Sequence, residues 1–180
     1  MITADEILNA KILVVDDKEA NVELMEGILR VAGYTSVHST MNPREVRELH
    51  RENQYGLILL DMHMPDMDGF QVMKGLTEIE ADGYLPVLVI TAQPQLKLRA
   101  LEAGAKDFVS KPFDLAELRA RVHNILEVRL LHLKEKSHSK ELEATVRELE
   151  ESREIIRLQT LEERKAEERA LALARETQRS

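Results

Sequence analysis

Two short apolar segments of this 180-residue chain are each followed at once by aspartates. Asp16 and Asp17 come directly after the segment that ends at Val15, and Asp61 follows Leu57–Leu60. Three carboxylates brought close together repel one another unless a cation neutralises them. Oxygen ligands without any cysteine favour a hard cation, and Mg²⁺ is usually bound by one or two carboxylates together with retained waters. The pattern therefore predicts a magnesium site.

A hydroxyl group and an ammonium group follow two further apolar segments. Thr91 comes directly after Val87–Ile90, and Lys111 follows Asp107–Ser110. A carboxylate is a nucleophile toward phosphorus and forms an acyl phosphate. The transfer requires that charge on the transferring oxygens be neutralised, which a divalent cation and Lys111 would do. Thr91 would hydrogen-bond a third oxygen, so the set predicts phosphoryl transfer to Asp61.

The segments that carry these residues belong to an alternating pattern of strands and helices. Short runs of Val, Ile and Leu without alternation are typical of strands buried on both faces of a parallel sheet. Strands that alternate with amphipathic helices indicate an α/β fold with a doubly wound, five-stranded parallel sheet. The binding crevice of such a sheet lies at the carboxyl ends of its strands. The predicted strands are Lys11–Val15, Thr35–Ser39, Leu57–Leu60, Val87–Ile90 and Asp107–Ser110, and the predicted helices cover 22–32, 43–50, 70–79 and 96–103.

Glycine and proline divide the chain into two parts. All seven glycines lie at or before Gly104 and all five prolines at or before Pro112, so nothing interrupts a helix beyond that point. Asp114 is a suitable N-cap for a helix that begins at Leu115. We predict a domain over residues 1–130, and a coiled-coil helix over 131–180 that continues the last helix of that domain.

The long helix carries an apolar stripe. Leu142, Leu149 and Ile156 recur every seven residues with Val146 between them, as in a coiled coil. Polar residues and a later shift of phase interrupt this seam, and such shifts change supercoiling locally. We predict a parallel homodimeric coiled coil; the alternative is a solvated, charged helix.

Composition excludes several classes of protein. The net charge of −8 and the lack of a basic block argue against a nucleic-acid partner. No apolar run approaches the length of about 20 residues that a membrane span needs, and the first residues do not form a signal peptide. The absence of cysteine fits a reducing compartment. We expect a cytoplasmic protein without membrane contact.

Taken together, these motifs resemble the bacterial response regulator receiver (CheY-like) family over residues 10–130. The matching motifs are the Asp16–Asp17 pair, the loop 61–69, Thr91 with Ala92, and residues 111–113. The resemblance implies a flavodoxin-like fold and phosphorylation of Asp61 by a sensor histidine kinase or phosphotransfer protein with Mg²⁺. It also implies that Asp17 binds Mg²⁺ directly, Asp16 mostly through water, and His63 through its backbone carbonyl.

The same resemblance assigns roles to four further residues. Lys111 would pair with the phosphoryl oxygens, and its peptide bond to Pro112 would be cis. Thr91 and Phe108 would form a switch, in which the hydroxyl moves toward the phosphoryl group and the ring fills the space that it leaves. Receivers often have tyrosine at the position of Phe108, so only the packing part of the switch is expected here.

Some residues also have simpler interpretations. Asp16 and Asp17 could cap the helix that begins near Glu19, and Phe108 could be a core residue as well as a switch. The three methionines of the loop, Met62, Met64 and Met67, resemble a soft-metal cluster. Because they lie in an oxygen-rich loop, we interpret them as packing or partner-facing residues.

The chain shows no catalytic motif of an output domain, and we expect it not to be an enzyme. Its last residues, 170–180, resemble the helix that precedes PP2C-type serine/threonine phosphatase domains in bacterial stress signalling. We expect such a domain to follow and the chain to be a fragment. The alternatives are a linker into a cyclic-di-GMP enzyme, or a stand-alone regulator that acts by protein–protein contact through its helical arm.

Overall fold

The protein, described here from a computed structural model, is an alternating series of strands and helices. The structure describes residues 1–80 and 83–177, with side chains as far as residue 175, so the end of the predicted phosphatase-like run lies outside the described residues. The strands are β1 (Ile12–Val15), β2 (Val37–Thr40), β3 (Leu57–Asp61), β4 (Val87–Thr91) and β5 (Asp107–Ser110). The helices are α1 (Ala4–Leu8), α2 (Glu19–Val31), α3 (Val46–Asn53), α4 (Gly69–Thr77), α5 (Leu96–Glu102) and α6 (Leu115–Thr177), with a 3₁₀ turn at Pro43–Glu45.

The five strands form one parallel sheet in the order β2-β1-β3-β4-β5. This is the flavodoxin-like order of a doubly wound fold, which confirms the predicted fold class. The order reverses between β1 and β3, where Val15 pairs with Leu60. A crevice therefore opens beyond these two residues, at the carboxyl ends of the strands, and the predicted aspartates come next in the chain.

Helices cover both faces of the sheet, and alternate strand residues supply a separate core to each face. On one face, Ile12, Val14 and Leu59 pack with residues of α2 and with the first part of α6, including Leu126. On the other face, Leu13, Val15 and Leu60 pack with residues of α3, α4 and α5. Burial on both faces explains why these strands are continuous apolar runs.

Most elements begin or end one to three residues away from their predicted bounds, and β3 and β4 include Asp61 and Thr91, which were predicted to follow them. Three further differences concern the second strand, the helix after it and the start of the chain. The second strand is Val37–Thr40 rather than Thr35–Ser39, because this edge strand has a polar sequence that marks its ends poorly. The predicted helix over 43–50 is a 3₁₀ turn followed by α3, which continues to Asn53 and ends on Gln54 in the left-handed conformation. The first helix, α1, was not predicted, although a Thr3–Glu6 capping box starts it.

The chain divides into two compact units, Met1–Leu133 and Lys134–Ser180. Asp114 caps α6 as predicted, since its Oδ1 accepts hydrogen bonds from the N–H groups of Ala116 and Glu117 at 2.7 and 3.0 Å. In the second unit, Leu142, Leu149 and Ile156 are exposed. Among the described residues, no helix has both the length and the apolar character that crossing a membrane requires.

Candidate functional site

Asp61 is the last residue of β3 and lies in the crevice, where its residue is 4% exposed. Lys111, which follows β5, donates from Nζ to Asp61 Oδ1 at 2.7 Å and to Asp16 Oδ2 at 3.1 Å. The backbone N–H of His63 donates to the other oxygen, Asp61 Oδ2, at 3.0 Å. The ends of β1, β3 and β5 thus bring an acidic and a basic group into contact across nearly a hundred residues of sequence.

Asp16 is fully buried and is fixed by several donors. Asn21, in the first turn of α2, donates from Nδ2 to both carboxylate oxygens at 3.0 and 2.9 Å. The N–H of Lys18 donates to Oδ1 at 2.9 Å. The sequence analysis did not single out Asn21, and the available signal was an amide placed one helical turn after the aspartate pair. These donors hold the Asp16 carboxylate in one orientation.

Asp17 differs from Asp16 because it is only half-buried and lacks such a set of donors among the described residues. Its Oδ1 is buried and has no hydrogen-bond partner among the described residues. Carboxylate oxygens of Asp16, Asp17 and Asp61 all lie within 4.8 Å of one another. A buried oxygen without a partner, next to two further carboxylates, is the arrangement that a bound divalent cation resolves. The donor set therefore fits Mg²⁺, with Asp17 suited to direct ligation.

The loop after Asp61 requires a glycine where α4 begins. A Cβ on Gly69 would clash with Met62 Sδ and would lie 3.1 Å from the carbonyl oxygen of Asp61. The helix N-terminus therefore comes close to the backbone of the acceptor. Met62 and Met64 are buried in the core beside α4, and Met67 packs against it partly buried, which supports the packing interpretation of the methionines.

The charges of the site are incompletely balanced. Burial raises the pKa of Asp61 and Asp16 adds to this, although the hydrogen bond and charge of Lys111 oppose it. Burial alone would lower the pKa of Lys111, but hydrogen bonds and charges from Asp61 and Asp16 outweigh it and raise the pKa. Lys111 is therefore firmly protonated, and one ammonium group faces three carboxylates. An added cation would stabilise the ionised form of Asp61.

The predicted switch residues lie on neighbouring strands. Thr91 ends β4, is buried, and accepts a hydrogen bond at Oγ1 from the N–H of Gln93 at 3.0 Å. Phe108 pairs with Val89 in the sheet and is partly buried, with Lys97 Nζ 4.8 Å from the centre of its ring. The backbone N–H of Lys111 donates to the carbonyl of Thr91 at 2.9 Å, which ties β4 to the lysine.

Two predicted features concern the backbone. The Lys111–Pro112 peptide bond is cis in the structure. His63 has an exposed side chain directly after the acceptor strand. Its N–H contacts Asp61, whereas its carbonyl remains a predicted ligand. The structure thus brings Asp16, Asp17, Asp61 and Lys111 into one cluster.

Comparison with known proteins agrees with this geometry. A family model described as the response regulator receiver domain matches residues 12–123. The chain belongs to the response regulator receiver domain family. It is thus a receiver domain of a two-component system, the bacterial signalling arrangement in which such domains interact with histidine kinases or phosphotransfer proteins. Receiver domains bind Mg²⁺ in an acidic pocket, and the three aspartates form such a pocket here.

Individual relatives match the receiver part of the chain. Response regulator PleD of Caulobacter vibrioides is 39% identical over 126 residues, which are 69% of this chain and 28% of PleD. The DNA-binding dual master transcriptional regulator RpaA of Synechocystis is 36% identical over 118 residues, 64% of this chain and 48% of RpaA. The chain spans between about a quarter and a half of the length of these curated relatives.

A solved structure extends the comparison. The receiver domain of sensor histidine kinase PA1611 from Pseudomonas aeruginosa, solved with a magnesium ion coordinated in its active site cleft, is similar with a TM-score of 0.60. Its sequence identity is 27%, and the match covers 66% of this chain and 98% of that one.

Proposed function

We propose that this receiver accepts a phosphoryl group on Asp61 in a Mg²⁺-dependent reaction and relays its phosphorylation state through α6. The observation that carries the proposal is the cluster of Asp61 with Lys111 at 2.7 Å and with two further carboxylates within 4.8 Å. One oxygen of Asp61 is held by an ammonium group and the other by a backbone N–H. The acceptor is therefore oriented before a phosphodonor arrives.

The transfer itself is a displacement at phosphorus. An Asp61 carboxylate oxygen forms the new P–O bond while the P–N bond to a phosphohistidine of the donor breaks, and the leaving imidazole keeps the electron pair and takes up a proton. Lys111 supplies positive charge to the phosphoryl oxygens, which replace the carboxylate oxygen as its partner. Mg²⁺, held by Asp17, Asp61 and the His63 carbonyl and by Asp16 through water, would neutralise further oxygen charge when bound.

The switch residues give the phosphorylated state a structural consequence. Thr91 Oγ1 accepts from the N–H of Gln93. Its own proton has no acceptor among the described residues and could be donated to a phosphoryl oxygen, and a rotation toward Asp61 would vacate space beside β4. We propose that Phe108, which lies on the neighbouring strand and is only partly buried, fills this space. Phosphorylation would therefore shift the population between two packings of β4 and β5.

We propose that the donor is a sensor histidine kinase or phosphotransfer protein and that the state is passed to an output domain by a homodimeric coiled coil. The exposed stripe of Leu142, Val146, Leu149 and Ile156 supports the coiled coil, since a second copy would cover it. For the output we propose a PP2C-type phosphatase domain, on the basis of residues 170–180; the receiver itself regulates and does not catalyse. The reading frame beyond residue 180 tests the output.

Labelling of Asp61 tests the central proposal. With radiolabelled acetyl phosphate and Mg²⁺, we expect the wild-type chain to be labelled and Asp61→Asn to be unlabelled while remaining folded. Asp66→Asn is the matched control, because Asp66 lies exposed in the same loop. Labelling of Asp61→Asn at the wild-type level would show that another residue accepts the phosphoryl group.

The coiled coil has a separate test in sedimentation velocity. We expect the full chain to be a dimer at micromolar concentration. A chain truncated near residue 132 should dimerise more weakly or be monomeric. Leu149→Glu places a charge in the seam and should also dissociate the dimer, whereas Glu148→Lys, one residue outside the seam, should not. A monomeric wild-type chain would contradict the homodimer.

A further inference from the structure

A second buried polar cluster lies at the opposite edge of the sheet, where the strands begin. It consists of His50, Glu80 and Arg129, which we call the basal cluster. His50 is 1% exposed and Arg129 is 3% exposed. Buried charged groups of this kind are rare unless they are paired. The receiver motifs assign no role to any of the three.

The contacts within the basal cluster are specific. Glu80 Oε1 lies 2.5 Å from His50 Nε2 and 3.5 Å from Arg129 Nη2. Because a carboxylate oxygen only accepts, Nε2 carries the ring proton and donates to Glu80. The Arg129 guanidinium also lies 4.8 Å from the centre of the Tyr84 ring, just before β4. One carboxylate therefore holds a histidine and an arginine, and a ring fixes the arginine.

The basal cluster joins the two helical layers of the domain. His50 belongs to α3 and Glu80 follows α4, and both of these helices cover one face of the sheet. Arg129 belongs to α6, which covers the other face. Arg129 is also the last fully buried residue of α6 among the residues that the structure describes. Its side chain therefore passes the edge of the sheet and anchors α6 where the helix leaves the core.

Helix α4 connects this anchor to the phosphorylation site. It begins at Gly69, whose N–H donates to the carbonyl of Met62 at 3.3 Å beside Asp61. It ends at Thr77, and the N–H of Glu80 still donates to the carbonyl of Leu76 at 3.1 Å. A short, regular helix moves as one body, so a shift at its first residue reaches Glu80.

We propose that Arg129 is a positioning residue that couples α6 to displacements of α4 through Glu80. The inference rests on the proposed phosphorylation of Asp61, and it identifies the contact through which that state reaches α6. A rearrangement of the loop after Asp61 moves α4; Glu80 moves with it, and the buried Glu80–Arg129 pair draws α6 along. Coupling of this kind requires α4 to have two arrangements, one for each state of the crevice.

Hydrogen exchange of the full chain tests the coupling, with beryllofluoride and Mg²⁺ as the phosphoryl mimic. Peptides that cover the loop after Asp61 report occupancy of the site, and peptides over residues 124–140 report α6. In the wild-type chain we expect the mimic to change exchange in α6 about fivefold. Arg129→Met keeps the volume and removes the charge, and the response of α6 should be lost while the response of the loop stays.

Three further variants separate coupling from stability. Glu80→Gln keeps a partner for His50 but removes the charge that holds Arg129, and it should lose the same response. Arg129→Lys keeps the charge and should retain part of the response. Arg47→Met removes an exposed arginine that pairs with Glu78 at 3.0 Å near the same end of α4, and it should respond like the wild type.

The outcomes distinguish the two proposals. A wild-type α6 response in both Arg129→Met and Glu80→Gln would overturn the coupling. The coupling would also be overturned if, in the wild-type chain, beryllofluoride changed hydrogen exchange in the loop but not in α6. No response of the loop in the wild-type chain would instead refute the phosphorylation of Asp61, and with it the coupling. Loss of the α6 response in both Arg129→Met and Glu80→Gln, together with a wild-type α6 response in Arg47→Met, supports the coupling.

Discussion

Asp17→Asn should make the receiver more stable without Mg²⁺ and less stable than the wild type with it. The buried oxygen of Asp17 has no hydrogen-bond partner among the described residues, so the neutral amide gives up no described contact at that oxygen. The substitution removes the repulsion between this carboxylate and those of Asp16 and Asp61. It also removes the group best suited to ligate the cation directly.

The magnitude follows from the separations in the cluster. Two unit charges 4.8 Å apart interact by about 3.5 kcal/mol at an effective dielectric constant of about 20. Asp17 has two such neighbours, but it is half-exposed and Lys111 lies in the same cluster, so we expect a net gain of about 1–2 kcal/mol. For a domain of this size that raises the melting temperature by roughly 3–6 °C. Saturation with Mg²⁺ at about 100 times Kd should stabilise the wild type by about 2.7 kcal/mol and reverse the order.

Differential scanning calorimetry in EDTA and over a series of MgCl₂ concentrations measures both effects. Glu19→Gln is the control, because it removes one negative charge from an exposed position two residues away. That variant should have a melting temperature close to that of the wild type, and Mg²⁺ should stabilise it to the same extent. The reasoning is refuted if Asp17→Asn is less stable than the wild type in EDTA, or if Mg²⁺ stabilises both chains equally.

Two further predictions concern packing. Gly69→Ala places a Cβ against Met62 and Asp61 and should cost about 1–3 kcal/mol of unfolding free energy and slow phosphodonor labelling. In Gly75→Ala, on the same helix, the new Cβ has Arg47 Cδ at 3.8 Å as its neighbour within 4 Å, and the free energy of unfolding should rise by about 0.5–1 kcal/mol. Equal changes for the two variants in urea unfolding would contradict the steric argument. Leu126→Ala, at a fully buried position of α6, should cost about 2–5 kcal/mol in the same assay. Val128→Ala, 53% exposed on the same helix, should leave receiver unfolding within about 0.5 kcal/mol of wild type, and a loss similar to that of Leu126→Ala would show that burial does not govern α6.

The sequence predicted those parts of the receiver that depend on local pattern. Strands buried on both faces are unbroken apolar runs, and parallel strands end at one edge, so the meeting of Asp16, Asp61 and Lys111 followed from three strand ends. Helix ends were harder to predict. The helix α3 stops on Gln54 at φ 52°, without the glycine that usually marks such an end.

Contacts between distant side chains could not be predicted in the same way. The partner of Asp16 on α2, Asn21, is an ordinary helical amide until the fold places it beside a buried carboxylate. His50 and Glu80 are thirty residues apart, and neither lies at the carboxyl end of a strand. No periodicity connects them to Arg129. Their association depends on how the helices cross the edge of the sheet, which only the folded structure shows.

The two buried clusters differ in their charge balance, and this difference assigns them different tasks. In the basal cluster one carboxylate faces one guanidinium, and the histidine donates a hydrogen bond. The described acid and base of that cluster offset each other's charge, although Nδ1 of His50 is buried without a hydrogen-bond partner among the described residues. In the crevice three carboxylates face, among the described residues, the ammonium group of Lys111, and one buried oxygen has no described partner. That cluster is completed only by a cation. A change of ligand should therefore alter the crevice directly, and the basal cluster should respond only through the movement of α4.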